Sequence, residues 1–354
     1  GILRKRMDEV VDGEYQNYKA KGGAYTREHF FGAYPELLDM VSNMTDDDIW
    51  HLNRGGQDSH KIYAAYAAAT AHTGNPSVVL AKTVNGYGMC DSGEALNISH
   101  LQKKMDEESI RSFRDRFKIP VSDSEMAELP YFHPGADSPE IKYMRQRRED
   151  LGGFLPQRRS ESEPLTGPEL DAFETLLKDT GEREISTTMT YVRALAIMLR
   201  DKSIAKHIVP IVADEARTFG MEGMFRQLGI YSSKGQLYIP VDSDQLMFYK
   251  EETRGQILQE GITEAGAMSS WIAAATSYAN NDAPMIPFFI FYSMFGFQRI
   301  GDLAWAAGDL RARGFLLGGT SGRTTLNGEG LQHADGNSHV VSRLIPNCIS
   351  YDPT

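Results

Sequence analysis

Glu264 stands in the string Gly261-Ile262-Thr263-Glu264-Ala265-Gly266-Ala267-Met268, a carboxyl among small or apolar neighbours. Shielded from water, such a group tends to keep its proton and is suited to acid–base work. The plain alternative is a Glu in the first turn of a helix, where the dipole favours negative charge; the residues alone leave both readings open. Tyr292 and Phe295 close an apolar run, and aromatic rings in that position either stack on a flat ligand or finish a core. Glu329 and His333 lie in the glycine-rich residues 318–336, and His100 stands near Lys103 and Lys104 within residues 94–104. Loop acids and imidazoles can move protons, although a loop His or Glu is usually plain surface. Asp214 and Glu215 follow another apolar run, where carboxylates commonly cap a strand-terminal turn.

Two glycine patterns invite a nucleotide reading and fail it. In Gly86-Tyr87-Gly88-Met89-Cys90-Asp91-Ser92-Gly93 the third glycine is displaced from the dinucleotide spacing. In Gly318-Gly319-Thr320-Ser321-Gly322-Arg323-Thr324 an Arg stands where a phosphate loop requires Lys, and the leading glycine is missing.

The elements that must position these residues alternate. Residues 61–69 form an alanine-rich helix stopped by Gly74-Asn75-Pro76, and Val78-Val79-Leu80-Ala81 reads as a buried strand. Residues 187–199 predict a helix, 207–213 a strand, 262–279 a helix, 286–292 a strand, 303–313 a helix and 314–317 a strand. Helices alternating with wholly apolar strands give an α/β fold, an open, mostly parallel sheet flanked by helices. Ligands of such sheets sit beyond the carboxyl ends of the strands, which directs attention to residues 214–217, 293–297 and 318–336. Residues 121–164 are rich in Pro, Ser, Gly and charge, with Pro130, Pro134, Pro139 and Pro156 expected to break any long helix, so an interdomain connection is placed there.

With 354 residues, 41% of them hydrophobic, the chain can bury one large core or two ordinary ones. A net charge of -11 argues against a nucleic-acid partner, which needs a basic face. The basic strings Arg145-Gln146-Arg147-Arg148 and Arg158-Arg159 are interleaved with acids and read as solvated surface. Cys90 and Cys348 lie far apart and outside any metal-ligand spacing, which points to a reducing cytoplasm. The longest apolar run, residues 285–292, is far short of the roughly 20 residues of a membrane helix, and no charged-then-apolar leader opens the chain, so no membrane association is expected. The start at Gly1 and the stop at Thr354 read as those of a central segment of something longer.

Four strings are more specific. Ile211-Val212-Ala213-Asp214-Glu215-Ala216-Arg217-Thr218-Phe219-Gly220-Met221-Glu222-Gly223, then Gly255-Gln256-Ile257-Leu258-Gln259-Glu260-Gly261-Ile262-Thr263-Glu264-Ala265-Gly266, are followed by Tyr292-Ser293-Met294-Phe295-Gly296-Phe297-Gln298-Arg299-Ile300-Gly301-Asp302. The last runs from Gly318-Gly319-Thr320-Ser321-Gly322-Arg323-Thr324 through Thr325-Leu326-Asn327-Gly328-Glu329-Gly330-Leu331-Gln332-His333. Together they resemble the homodimeric bacterial type of thiamine-diphosphate-dependent pyruvate dehydrogenase decarboxylating component, within the transketolase-like superfamily. The resemblance continues upstream through Tyr25-Thr26-Arg27-Glu28-His29-Phe30-Phe31 and Asn97-Ile98-Ser99-His100, and so spans essentially the whole chain.

That resemblance implies the thiamine-diphosphate-binding fold and parts of two domains. Residues 1–160 would close the diphosphate-binding domain, 161–185 would be a linker, and 186–354 a pyrimidine-binding domain, incomplete at its end. It implies decarboxylation of pyruvate followed by reductive acetylation of lipoyl groups, with lipoyl domains and the dihydrolipoyl acetyltransferase core as partners, in a cytoplasmic homodimer. Glu264 would share a proton with the aminopyrimidine nitrogen and so activate the cofactor; Phe295 would stack on that ring. Tyr292, Glu329 and His333 would surround the substrate, Asp214 and Glu215 would link two cofactor sites across a subunit interface, and His100 would sit on a loop that closes over the site. Leu96 replaces an expected basic residue in that loop, and Cys90 follows the Gly-Tyr-Gly-Met element, which puts its dynamics in question. The family's magnesium ligands would lie upstream of Gly1. Gly301-Asp302 with Asn327 imitates the magnesium signature, but Leu303 stands at its third position, so no metal ligand is assigned and this segment alone is expected to be inactive. A transketolase-like two-carbon transferase and a non-catalytic fragment are the competing readings.

Overall fold

A computed structural model describes residues 1–52, 55–154, 159–214, 216–241, 243–244, 248–319 and 333–353. Contacts divide the chain into two units, Gly1–Asp150 and Leu151–Thr354.

The first unit opens with short helices, α1 (Ile2–Glu9), α2 (Asp12–Ala20), α3 (Gly22–His29), α4 (Pro35–Met40) and α5 (Asp46–His51). Helices below about 12 residues are marginal on their own and need packing. These wrap an apolar cluster of Leu37, Val41, Ile49, Phe30, Phe31 and Tyr18. Local chemistry fixes the turns: Pro35 takes a first-turn position in α4, where its missing N–H costs nothing. At the start of α5 the Asp48 amide donates to Thr45 Oγ1 at 3.0 Å and the Thr45 amide to the Asp48 carboxylate at 2.8 Å. Arg27 then ties helix to loop, donating to Val41 O at 2.9 Å, Met44 O at 2.5 Å and Asp46 Oδ1 at 2.8 Å.

Helix α6 (Ser59–Ala71) contains the expected alanine-rich stretch and starts on Asp58, which accepts from the amides of His60 and Lys61. The strand expected at residues 78–81 is not formed: the stretch has no ladder, and Val78 and Leu80 are exposed. An apolar β-branched run becomes a strand only against a partner backbone. Just beyond the stretch, Val84 is held by a side chain, Gln57 giving and taking a 3.1 Å bond there. Helices α7 (Glu107–Arg116), α8 (Asp123–Met126) and α9 (Pro139–Asp150) complete the unit. Helix α9, 12 residues long, corrects the expectation that prolines bar a long helix there. Pro139 stands at its first position, where proline initiates rather than breaks.

The second unit runs α10 (Glu174–Leu177), α11 (Thr187–Met198), β1 (Ile208–Val212), α12 (Phe225–Leu228), β2 (Ile230–Tyr231), β3 (Glu251–Glu252), β4 (Leu258–Gln259), α13 (Glu264–Ala275), α14 (Ser277–Asn281), β5 (Ile286–Tyr292), α15 (Gly296–Asp309), β6 (Phe315–Gly319) and α16 (Ser338–Ser342). The main sheet has the order β4-β1-β5-β6 with every pairing parallel, and β2 and β3 form a small parallel pair. This is the α/β architecture expected from the alternation of elements.

Both faces of the sheet are covered, which is why its strands are continuously apolar. Along β5, Phe288 and Ile290 join a cluster with Leu195, Phe219 and Phe225, while Phe289 and Phe291 point into the opposite cluster with Met268, Trp271 and Ile300. Along β1, Ile208 and Val212 belong to the first cluster and Ile211 to the second. The helix expected over residues 262–279 divides into α13 and α14 at Thr276, whose hydroxyl donates back to Ile272 O at 2.8 Å, a bond that bends helices. Helix α15 begins at Gly296, well before the expected residue 303, because the strand end turns directly into it through a single 3-10 turn, Ser293–Phe295. Only glycine fits that junction: a Cβ on Gly296 would lie 2.0 Å from the Phe291 ring. No helix among the described residues is long and apolar enough to cross a membrane.

Candidate functional site

Because β4, β1, β5 and β6 are parallel, the segments that follow them emerge on one edge of the sheet. Val212 leads to Asp214, Gln259 to Glu264 and Tyr292 to Phe295, and His333 packs against the last of these. Stretches distant in sequence therefore bring candidate residues to one edge.

Between β4 and α13 the chain turns at Gly261, whose φ of +76° is a left-handed conformation open to glycine. Thr263 then caps α13, its hydroxyl accepting from the Gly266 amide at 3.2 Å. Glu264 is thus the first residue of the helix and only 8% exposed. Its surroundings are not solely apolar: Arg299 Nη1 donates to Glu264 Oε1 at 2.5 Å. The same guanidinium lies 4.3 Å from the centre of the Phe295 ring. Phe295 caps the start of α15 and Arg299 stands four residues on, within its first turn, which lets the guanidinium reach back over the ring.

Tyr292, Phe295 and His333 form an edge-to-face cluster. Their ring centres are 6.2 Å apart for Tyr292 and Phe295, 4.8 Å for Tyr292 and His333, and 5.3 Å for Phe295 and His333. Phe219 backs the Tyr292 ring at 5.4 Å. Asp335 anchors the chain beyond His333: it accepts from the amides of Asn337 at 3.0 Å and Ser338 at 3.1 Å. Ser338 in turn donates to Ser293 O at 3.1 Å, fastening α16 to the end of β5. Burial pushes the Asp335 carboxyl up, but the hydrogen bonds from Ser338 and Asn337 outweigh it and hold it below the usual carboxylate range.

Asp214 is exposed at the same edge with φ of +100°, a conformation that strains a residue bearing a Cβ. Glu215 and Glu329 lie outside the described residues. Gly301 and Asp302 fall inside α15, while Asn327 also lies outside the described residues. Among the described residues no group of three or more His, Cys, Asp or Glu could hold a metal ion.

In the first unit, His100 ends a short 3-10 helix, Asn97–His100, and is exposed, as are Lys103 and Lys104. Its segment is rooted by Glu94, whose side chain is 3% exposed. Glu94 pairs with Arg116, lies 3.5 Å from Lys19 Nζ and accepts from the Gly88 amide at 3.1 Å. Desolvation raises the Glu94 carboxyl, and Arg116, the Gly88 amide and Lys19 together bring it below its ordinary value. Lys19, stacked 3.5 Å over Trp50, is pushed down by burial in spite of Glu94. Cys90, with φ of +47°, donates its thiol to Gly88 O at 3.5 Å.

The structure therefore joins Glu264, Phe295, Tyr292 and His333 at one edge and places Asp214 on the same edge. Arg299, Asp335 and the Glu94–Arg116 pair were missed in the sequence. The four-residue spacing of Phe295, at the cap of α15, and Arg299 within it was a usable signal for the first, and Asp335 three residues before Ser338, at a helix start, for the second.

A parallel α/β unit with its polar groups gathered at the carboxyl edge belongs to a class in which transketolases also fall: a transketolase structure from Campylobacter jejuni matches with a TM-score of 0.50 over 95% of this chain and 49% of that one, at 15% identity, a likeness of fold. The chain itself belongs to the pyruvate dehydrogenase E1 family, since the family profile described as pyruvate dehydrogenase E1 component middle domain matches residues 165–354. Two proteins named pyruvate dehydrogenase E1 component, from Pseudomonas aeruginosa and Escherichia coli, are 64% and 58% identical over the whole chain. The chain spans 40% of the length of each.

Proposed function

We propose that this chain supplies the cofactor-activating half of a thiamine-diphosphate-dependent enzyme that decarboxylates pyruvate and passes the acetyl group to lipoyl groups of an acetyltransferase core. Relatives at 55–64% identity carry the name of that component. The observation that carries the reading is Glu264, a buried carboxyl at the first position of α13 that Arg299 links to the Phe295 ring. A second copy of the protein, magnesium ligands outside the present residues, and a division into residues 1–160, 161–185 and 186–354 belong to the same proposal.

The residues suit an aminopyrimidine. Phe295 offers a ring face, Glu264 a carboxyl that ring nitrogen chemistry needs, and the cluster of Tyr292 and His333 a wall of aromatic edges. Bound there, thiamine diphosphate supplies a carbon nucleophile once its thiazolium proton is removed. Glu264 would hold a proton at its carboxyl against the ring nitrogen, and its burial keeps water from competing for it. Tyr292 and His333 would orient the substrate carboxylate, and His100, on its exposed turn, would serve transfer to the lipoyl group.

The test uses full-length protein with Glu264→Ala. Exchange of the thiazolium proton into deuterated water, followed by NMR, is expected to slow by about 10²-fold or more, with loss of pyruvate turnover measured against an artificial electron acceptor. Exchange and turnover at the wild-type rate, or turnover of a ketose phosphate in place of pyruvate, contradicts the reading.

A further inference from the structure

Arg299 already makes the two contacts that the proposed function assigns to the aminopyrimidine. Its guanidinium bonds Glu264 Oε1 at 2.5 Å and lies 4.3 Å from the centre of the Phe295 ring. A guanidinium is flat, charged and rich in N–H donors, so it satisfies a carboxylate and an aromatic face at once, as a protonated aminopyrimidine does. We propose that Arg299 is an internal competitor for the pyrimidine slot, which must release Glu264 and the Phe295 face before the ring can take them.

The neighbourhood suits such a role. Glu264 is fixed at a capped helix start, and Phe295 is held between strand and helix against Tyr292 and His333. Arg299 is the exposed member: its side chain is 48% exposed, and its long stem can swing outward without unfolding α15. The Arg299 side of the pair is open to water while the Glu264 side chain is 9% exposed, so Arg299 yields only to a ligand that replaces both of its contacts and leaves no buried carboxylate unpaired. The inference rests on the reading of Glu264 and Phe295 as pyrimidine ligands.

Full-length protein is titrated with thiamine diphosphate and magnesium by calorimetry. Arg299→Met keeps length and apolar stem and removes charge and plane; it is expected to bind about fivefold tighter, the release of roughly 1 kcal/mol of competing contact. Arg299→Lys, which keeps the charge and loses the plane, should fall between Met and wild type. In a Glu264→Gln background the gain from Arg299→Met should shrink toward nothing, an outcome that a merely structural Arg would not produce. Unchanged or weaker binding in Arg299→Met overturns the competition. If thiazolium proton exchange is impaired in Glu264→Ala while Arg299→Met binds no tighter, only the competition is wrong. If Glu264→Ala leaves binding and exchange untouched, the assignment of Glu264 fails and the competition falls with it.

Discussion

Tyr292 and His333 meet edge to face, ring centres 4.8 Å apart and planes at 65°, so the end of β5 and the chain just before α16 share one aromatic contact. A ring at each side of a candidate substrate site should matter for chemistry more than for folding. His333→Ala in the full-length protein is expected to lower pyruvate turnover by about 10²-fold, with cofactor affinity and unfolding temperature little changed. A proportionate loss of cofactor affinity would move His333 from the substrate to the cofactor.

Asp335 should contribute stability through its two backbone bonds. Asp335→Ala leaves the amides of Asn337 and Ser338 without their acceptor and is expected to cost about 1–3 kcal/mol in urea unfolding. Asp335→Asn, which keeps an acceptor, should cost less. Equal losses in the two variants would show that charge, and not the two bonds, is what the position needs.

Acid should loosen both units. Glu94 and Asp335 have carboxyls held below their ordinary values of 4.5 and 3.8. Their contribution is complete above those values and is lost as pH falls through the lower values of the folded protein. Melting temperature measured from pH 7 downward should therefore hold level and then drop below about pH 4.5. Glu94→Gln strands Arg116 and Lys19 without a carboxylate; it should cost about 3 kcal/mol near neutral pH and flatten the acid limb. A drop that begins near pH 6 would implicate histidines instead.

The central strand sets the largest single cost. Phe289 is fully buried between α13 and α15, so Phe289→Ala should destabilise the protein by about 3–5 kcal/mol. Phe315, half exposed at the edge strand although stacked on Phe288 at 4.7 Å, should cost clearly less on the same substitution. Equal costs would mean that the edge strand is covered in solution.

The long strands of the second unit and the helices that cover them were legible because their patterns are local, while the two-residue strands β2, β3 and β4 carry too little pattern to read. Ile286 to Tyr292 is one unbroken apolar run, and the strand has those bounds. The helix expected from residue 262 starts at Glu264, after the cap that Thr263 provides. The stretch Val78-Val79-Leu80-Ala81 misled because β-branched composition reports a capacity to pair and carries no information about a partner. The early start of α15 was hidden because Gly296 looks like a helix breaker, and its reason, the Phe291 ring, lies in the preceding strand. In the candidate site, Glu264 and Phe295 were singled out by their motifs, whereas their link through Arg299 is a through-space contact between α13 and α15.

The uniformly parallel arrangement of β4, β1, β5 and β6 has a consequence for how this protein fails. Parallel neighbours cannot be joined by a hairpin, so every pair is closed by a long excursion of chain and no two of the functional stretches can be assembled separately. Damage at a remote helix would then be felt at the candidate edge through the folding of the whole sheet.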